Sequence, residues 1–233
     1  SIPMSYAIAI DGPAGAGKST VARHLARELQ FLYVDTGALY RAIGYRMLRA
    51  GIDPADAAAV AAALPETAVS LHYVEGEQRV FLGEEDVSGA IRTPEVSMAA
   101  SAVSAIPAVR QFLLQVQRDM AAQYSVIMDG RDIGTTILPR ADVKICLTAS
   151  PESRARRRYA ELQEKGVDTT YEAVLADMEK RDYDDAHRAA SPLRRAADAV
   201  LVDTSHDDLA GSIRRVKEVV LGRLPYIRDN GTR

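Results

Sequence analysis

The sequence predicts an α/β fold in which helices cover both faces of a parallel β-sheet. Three observations lead to this fold class. Short apolar runs rich in β-branched residues alternate with segments of helical periodicity. A glycine-rich loop follows the first of these runs, and one stretch in the first half of the chain has the pattern of an antiparallel hairpin instead.

The predicted strands of the sheet are five compact apolar runs, each bounded by polar or turn residues. In chain order they cover residues 6–10, 31–35, 125–129, 143–147 and 199–203. Between the first two runs, apolar residues recur at spacings of one, three and four, which is the pattern of a helix with one buried face. Those residues are Val21, Ala22, Leu25 and Leu29. A second helix is predicted over residues 39–50.

The hairpin pattern interrupts this alternation. The runs 69–74 and 79–82 flank Glu75-Gly76-Glu77-Gln78 and follow an alanine-rich segment, 54–64, that is predicted to be helical. An antiparallel element inside a chain of alternating strands and helices indicates an inserted subdomain. We therefore predict an insertion over residues 65–100, in a core domain formed by residues 1–64 and 101–233.

The bulk composition restricts the class of protein. Its 233 residues fit one domain or one domain with insertions, and its net charge of −3 lacks the basic excess of most nucleic-acid binders. No run approaches the ~18 apolar residues needed to span a bilayer, and no secretory signal precedes the first strand. We therefore expect a cytoplasmic protein that binds neither nucleic acid nor a membrane. We also expect a monomer.

The single cysteine and the four histidines carry no predicted chemistry. Cys146 lies in an apolar run, where we interpret it as a small buried side chain on a strand. One thiol forms neither an internal disulfide nor a thiolate metal cluster, which agrees with a reducing cytoplasm. The histidines lack the spacing of metal ligands.

The glycine-rich loop fits the phosphate-binding motif G-x-x-x-x-G-K-[ST], follows a strand and opens a helix, as that motif requires. Its backbone N–H groups turn toward phosphate oxygens, and the helix N-terminus adds partial positive charge. Lys18 would reach the outer phosphates, and the Ser19 hydroxyl would help to hold Mg²⁺. The predicted ATP site consists of Gly12, Pro13, Ala14, Gly15, Ala16, Gly17, Lys18, Ser19 and Thr20.

The P-loop leaves the phosphate acceptor undetermined. The base-reading motif N-K-x-D of GTPases is missing from the sequence. Asp129 follows an apolar strand directly, as an acidic residue does in motor and transport ATPases, but the Gly130-Arg131-Asp132 behind it is an unusual companion there.

Two arginines are predicted to act beside the P-loop. Phosphoryl transfer needs positive charge around the transferring group, and the planar guanidinium binds phosphate oxygens in pairs. Arg41 follows the second predicted strand and Arg131 follows the third, so both belong at the carboxyl edge of the sheet where ligands bind. Either alone is more often a surface charge. Their shared location makes Lys18, Arg41 and Arg131 the predicted catalytic residues.

Four arginines crowd into five positions after the fourth predicted strand, at Arg154, Arg156, Arg157 and Arg158. We predict a lid over about residues 151–168 that clamps the donor phosphates, with Gly166 ending its helix. A solvated basic face or a weak nucleic-acid patch is the alternative.

Residues 180–188 mix both signs of charge. Arg181 and Arg188 could point to a phosphate or a base while Asp185 accepts from sugar hydroxyls. A salt-bridged helix end is the alternative.

Five segments together resemble the bacterial cytidylate kinases of the nucleoside monophosphate kinase group. The P-loop alone occurs in many families, whereas its combination with the second and fourth segments below and the inserted hairpin is specific. The resemblance runs from the first strand to near Arg195, which is most of the chain. The segments are residues 10–19 (IDGPAGAGKS), 35–41 (DTGALYR), 86–93 (DVSGAIRT), 129–135 (DGRDIGT) and 162–166 (LQEKG).

The resemblance implies a five-stranded core, a monophosphate-binding insertion, a short lid and the reaction of ATP with CMP or dCMP. It places five residues around the acceptor nucleotide and its phosphate, namely Thr36, Arg41, Arg131, Arg181 and Arg188. It places Ser101, Arg110 and Asp132 at or near the cytosine, and Asp185 near the ribose. In the lid, Arg157 and Arg158 would contact ATP, although the lid arginines match the family in character more than residue by residue. Position 36 is threonine where some relatives have serine, which keeps the hydroxyl.

Two other functions fit the residues. One is a P-loop kinase for another small acceptor, such as UMP or a metabolite hydroxyl, and the other is a nucleotide-sensing module without turnover.

Overall fold

The structure is a computed structural model that describes residues 5–187, 193 and 195–224. The strands in this part of the chain are β1 (Ala7–Asp11), β2 (Leu32–Tyr33), β3 (Val69–Val74), β4 (Glu77–Leu82), β5 (Glu85–Asp86), β6 (Val126–Gly130), β7 (Val143–Thr148) and β8 (Val200–Asp203). The α-helices are α1 (Lys18–Leu29), α2 (Thr36–Arg49), α3 (Ala57–Ala63), α4 (Pro94–Ser104), α5 (Pro107–Gln123), α6 (Pro151–Glu164), α7 (Tyr171–His187) and α8 (Leu209–Arg223). Short helical turns cover Leu64–Glu66, Ala90–Arg92 and Ile133–Ile137, the last a π-helix.

Five strands form the predicted parallel sheet, in the order β2-β6-β1-β7-β8. The central strand β1 pairs in parallel with β6 on one side and β7 on the other, and β7 pairs in parallel with β8. Ile8, Ala9 and Ile10 are 0% exposed, as expected of a strand covered on both faces. All five strands occur where they were predicted, which confirms the α/β fold class.

The chain divides into two compact units. The first unit contains the residues up to Phe31 and those from Ser125 onward, and the second unit is Leu32–Tyr124. The predicted insertion, 65–100, lies inside the second unit. That unit is longer because helices on both sides of the insertion, α2 and α5 among them, pack within it.

In the first unit, α1 buries the predicted apolar face. Val21, Ala22 and Leu25 are 0% exposed, while Leu29 is only half-buried, because it lies in the last turn of α1. The helix packs against β6 and α8. Its first residue is Lys18, so the packing of this helix fixes the position of the loop before it.

The second unit contains the predicted hairpin. Val69 pairs with Leu82 and Val74 with Glu77, which leaves a two-residue turn, Glu75-Gly76, with φ of 53° and 80°. Because this turn needs no more residues, β4 begins at Glu77, two residues before its predicted start. A two-residue strand, β5, continues the sheet and was not predicted.

Helix α2 also begins before its predicted start. Asp35 accepts a hydrogen bond from the backbone N–H of Ala38 at 3.1 Å, so it acts as the N-cap. The cap starts the helix at Thr36 rather than at residue 39, and Thr36 and Arg41 therefore share one rigid element.

No single described helix combines the length and apolarity needed to cross a membrane. Helices α4 and α5 meet that criterion only as a pair bent by 98°.

We expect Gly44→Ala to destabilise the second unit. A Cβ at Gly44 would lie 2.8 Å from the backbone N of Ala100 and 2.9 Å from the carbonyl C of Ala99, so the α2 and α4 backbones would have to separate. Overpacking of this kind costs about 1–3 kcal/mol. In a chain of this size each kcal/mol lowers Tm by roughly 2–4 °C, which thermal unfolding followed by circular dichroism would detect.

Gly222→Ala is the matched control for this substitution. Gly222 also lies in a helix, but a Cβ there meets nothing within 4 Å, so alanine should be neutral or stabilising. A Tm for Gly44→Ala equal to or above that of Gly222→Ala would show that α2 and α4 are not held in such close contact.

Candidate active site

The P-loop connects β1 to α1 in the first unit and depends on three glycines. A Cβ at Gly12 would lie 2.0 Å from the carbonyl O of Leu147, a distance that only glycine permits. Gly15 and Gly17 have φ of 75° and 85°, in the left-handed region. The backbone N–H of Gly12 donates to the carbonyl of Gly130 at 3.2 Å, so the loop begins against the end of β6.

Lys18 is the cation of the loop and is placed by the first turn of α1. Its Nζ donates to the carbonyl O of Pro13 at 2.9 Å. Burial, and then the positive charge of Arg131, lower the pKa of Lys18 to about 8. Nearby carboxylates oppose this shift; in order of their effect they are Asp129, Asp185 and Asp11.

Asp11, the last residue of β1, fixes the segment that follows β6. Its carboxylate accepts hydrogen bonds from the backbone N–H groups of Ile133 at 2.9 Å and Gly134 at 2.8 Å. Burial raises the pKa of this carboxyl, and the two N–H donors act in the opposite direction. The carboxylate thus satisfies the free N–H groups at the start of the π-helix, whose N-cap residue, Asp132, gives no side-chain cap.

Arg131 is held toward Lys18 by an ion pair. Its Nε donates to Asp185 Oδ2 at 2.7 Å, and the two side chains are 31% and 14% exposed. The structure therefore brings together three residues that were predicted separately, from α1, the end of β6 and α7.

Arg154 is a residue of this site whose role the sequence did not reveal. It is 3% exposed and donates to the carbonyl oxygens of Ala149 at 2.9 Å and of Ala14, in the P-loop, at 3.1 Å. It also pairs bidentately with Asp182, at 2.8 and 2.5 Å. In place of the phosphate clamp expected of the four arginines together, Arg154 joins α6 and α7 to the loop because Asp182 and two carbonyls occupy its guanidinium.

Two further arginines of α6 also have partners within the protein. Arg157 donates to the backbone carbonyls of Thr204 and Asp207 in the loop after β8, the second at 3.1 Å. Arg158 pairs with Glu161 at 3.3 Å and is 42% exposed. Gly166 has a φ of 72° just after α6 ends, as predicted for a glycine that terminates a helix. Contact of Arg157 and Arg158 with ATP stays a prediction.

The remaining predicted residues of the first unit lie at its surface or edge. Ser19 and Thr20 are exposed in the first turn of α1, and Asp132 is half-buried. Arg181 is 54% exposed and pairs with Asp177 at 3.0 Å. Arg188 lies outside the described residues.

The second unit carries the other predicted acceptor residues on helices that pack together. Thr36 and Arg41 lie on α2, and Ser101 is exposed on α4, directly after the segment that contacts Gly44. Arg110 is exposed on α5. Burial raises the pKa of the Tyr40 phenol, and the nearby positive charge of Arg110 opposes this shift.

Sequence reasoning missed Asp11 and Asp182. Asp11 ends an apolar strand directly before the P-loop, a position that could have marked it as a residue shaping the site. Asp182 lies in the mixed-charge segment 180–188, where nothing in the sequence distinguishes it from its acidic neighbours.

Comparisons with known proteins give one consistent result. The sequence model of the family described as "Cytidylate kinase" matches residues 8–221. A cytidylate kinase of Mycobacterium leprae is 53% identical over 217 residues, 93% of this chain and 96% of its own. One of Caldicellulosiruptor bescii is 48% identical over 212 residues, 91% of this chain and 94% of its own. A solved shikimate kinase from Bacteroides thetaiotaomicron covers 92% of this chain and 98% of its own, with a TM-score of 0.45 and 14% identity, and is too distant to add to this result.

The Lys18 amine is expected to titrate with a midpoint near pH 8. Arg131→Met should raise this midpoint because the positive charge of Arg131 disfavours the ammonium form, and Asp129→Asn should lower it because that carboxylate favours the ammonium. Acylation by acetic anhydride, which attacks the neutral amine, can be followed by mass spectrometry across pH. A midpoint near the ordinary lysine pKa of about 10.4, unchanged in both variants, would contradict this electrostatic description.

Proposed function

The chain belongs to the cytidylate kinase family, and we propose that it transfers the terminal phosphoryl group of ATP to CMP or dCMP, giving ADP and CDP or dCDP. The observation that carries the proposal is the grouping of the P-loop lysine with Arg131 and Asp185, in a chain that the family description covers from residue 8 to 221. The named relatives support the choice of acceptor.

ATP would be the donor, bound through the P-loop. The backbone N–H groups between Gly12 and Lys18 and the N-terminus of α1 offer a preorganised anion site. Lys18 would exchange its contact with the Pro13 carbonyl for the outer phosphates. The lowered pKa of Lys18 supports this role. Burial and the charge of Arg131 disfavour its ammonium form, and the negative charge of bound phosphates would stabilise that form.

Mg²⁺ would be held by the Ser19 hydroxyl, with Asp129 as the neighbouring carboxylate. Mg²⁺ prefers oxygen ligands and keeps waters and substrate phosphates, so few protein ligands are needed. Ser19 is exposed in the first turn of α1, so its hydroxyl is accessible to such an ion. When bound, the ion would neutralise charge on the phosphates.

Transfer would need no covalent intermediate with the protein. In-line attack by the acceptor phosphate develops charge on the transferring group, which Lys18, Arg131 and Arg41 would stabilise. Asp185 orients Arg131 at 2.7 Å before any anion arrives, so the guanidinium needs little reorganisation. Closure of the lid, 151–168, with Arg157 and Arg158 on ATP, would exclude water.

Nine residues would recognise the acceptor. Recognition of its phosphate and ribose is assigned to Thr36, Arg41, Arg131, Arg181, Asp185 and Arg188, and recognition of the cytosine to Ser101, Arg110 and Asp132. A carboxylate can accept from the exocyclic amino group of cytosine, and an arginine can donate to its ring nitrogen or carbonyl. The insertion, 65–100, would serve as the monophosphate-binding subdomain.

We propose that the enzyme acts in the cytoplasm as a monomer, without nucleic acid or membrane partners. A net charge of −3 and a single cysteine among 233 residues support this setting.

The proposal predicts ADP release that depends on CMP or dCMP. A coupled assay across CMP, dCMP, UMP, AMP and shikimate should show the two cytidine nucleotides as the best acceptors. Lys18→Ala should lower turnover by about 10²–10³ while the circular dichroism spectrum stays unchanged. A preference for UMP or shikimate would reveal a different kinase, and ATP binding without turnover would reveal a sensing module.

The choice of base provides a sharper test. Facing uracil, the Asp132 carboxylate would meet a carbonyl oxygen and stay unpaired. Asp132→Ala should therefore lower kcat/KM for CMP far more than for UMP. A charged hydrogen bond contributes roughly 1.5–3 kcal/mol, so the preference for CMP should narrow by about one to two powers of ten.

Both nucleotides should be measured in both proteins after folding is confirmed by circular dichroism. If the two substrates lose activity by the same factor, Asp132 does not select the base and serves the sugar, the phosphate or the shape of the site.

A further inference from the structure

Side chains from α6 and α7 contact one side of the P-loop tip at Gly15, which itself stays exposed. A Cβ at Gly15 would lie 2.9 Å from Met178 Cε and 3.5 Å from Arg154 Cβ. Both side chains are 3% exposed. The tip of the loop is therefore packed against two buried side chains within the first unit, although the loop itself is glycine-rich.

Arg154 also holds the loop through a hydrogen bond that few residues could supply. Of its five N–H donors, one goes to Ala149 O, one to Ala14 O and two to the carboxylate of Asp182. The planar fork fixes the guanidinium in one orientation, and that orientation sets the direction of the contact with Ala14. Lysine carries the same charge but lacks the planar guanidinium group with its fixed N–H donors.

We propose that Arg154 and Asp182 are a positioning pair for the P-loop. The pair holds the Ala14 carbonyl away from the nucleotide, so that the neighbouring backbone N–H groups face the donor phosphates. This inference rests on the proposed function, because it assigns the loop to ATP. Arg154 would contact no substrate. It would act through the loop backbone, with Asp182 keeping the guanidinium in place.

The alternative is that the pair contributes only to stability. Breaking a buried pair by removing one partner strands a charge and destabilises the fold, whereas removing both charges together often does not. A variant that loses both charges therefore separates the two roles, since it restores stability without restoring the hydrogen bond to Ala14.

The experiment compares Asp182→Asn, Arg154→Lys and the double variant Arg154→Met/Asp182→Leu with wild type. The control, Glu28→Gln/Lys217→Met, removes a half-exposed ion pair with a separation of 2.7 Å between α1 and α8. Each protein is examined for Tm, for the Kd of ATP by calorimetry without acceptor, and for kcat and the KM of ATP and CMP.

We expect the double variant to keep a Tm near that of wild type and to bind ATP about 10- to 100-fold more weakly, because a misplaced loop loses its preorganisation. The KM of CMP should stay within about twofold, since Asp185 keeps its own partner, Arg131. Asp182→Asn should also weaken ATP binding more than it raises the KM of CMP. Arg154→Lys should show a smaller effect of the same kind, and the control should show none.

A double variant with wild-type Kd and KM for ATP would overturn the proposal, as would equal losses for ATP and CMP in Asp182→Asn. The calorimetric Kd needs no acceptor. If the wild-type protein fails to phosphorylate CMP, the proposed function fails, while the comparison of ATP affinities still decides the role of the pair.

Discussion

The buried carboxylate of Asp11 is the constraint on which the arrangement of the first unit depends. It ends the central strand, and by accepting from Ile133 and Gly134 it fixes the start of the segment that follows β6. The contact of Gly12 with Gly130 secures the same two strand ends through the backbone. Arg131 lies between these anchors, so the sheet fixes its backbone, and Asp185 then orients its side chain.

Charge in the first unit is arranged in matched pairs, not as an excess of one sign. Arg131 has Asp185, Arg154 has Asp182, and Lys18 is surrounded by carboxylates that partly offset its burial. This explains how a chain of net charge −3 can present cations to phosphate groups. The charge near the P-loop is set by these individual side chains, and the net charge of the chain says little about it.

Much of the fold followed from local patterns, and much of the site did not. The alternating strands and helices, the P-loop and the Glu75-Gly76 hairpin could be predicted because each is marked by residues that are close together in the sequence. The start of α2 was misplaced because a single capping side chain, Asp35, outweighed the apolar periodicity. The role of Arg154 was unpredictable for a different reason. Its partners Ala14 and Asp182 are 140 and 28 residues away, and only packing of α6 and α7 on the loop brings them together.

The thiol of Cys146 shows what the position of Asp11 implies for redox chemistry. Cys146 lies beside Asp11 in the register of β1 and β7, and burial followed by that negative charge raises its pKa. Since the thiolate is the form that oxidants and alkylating agents attack, the raised pKa makes the half-buried thiol of Cys146 less reactive than an exposed cysteine. The same carboxylate that orders the strand ends thus also disfavours the thiolate on the neighbouring strand.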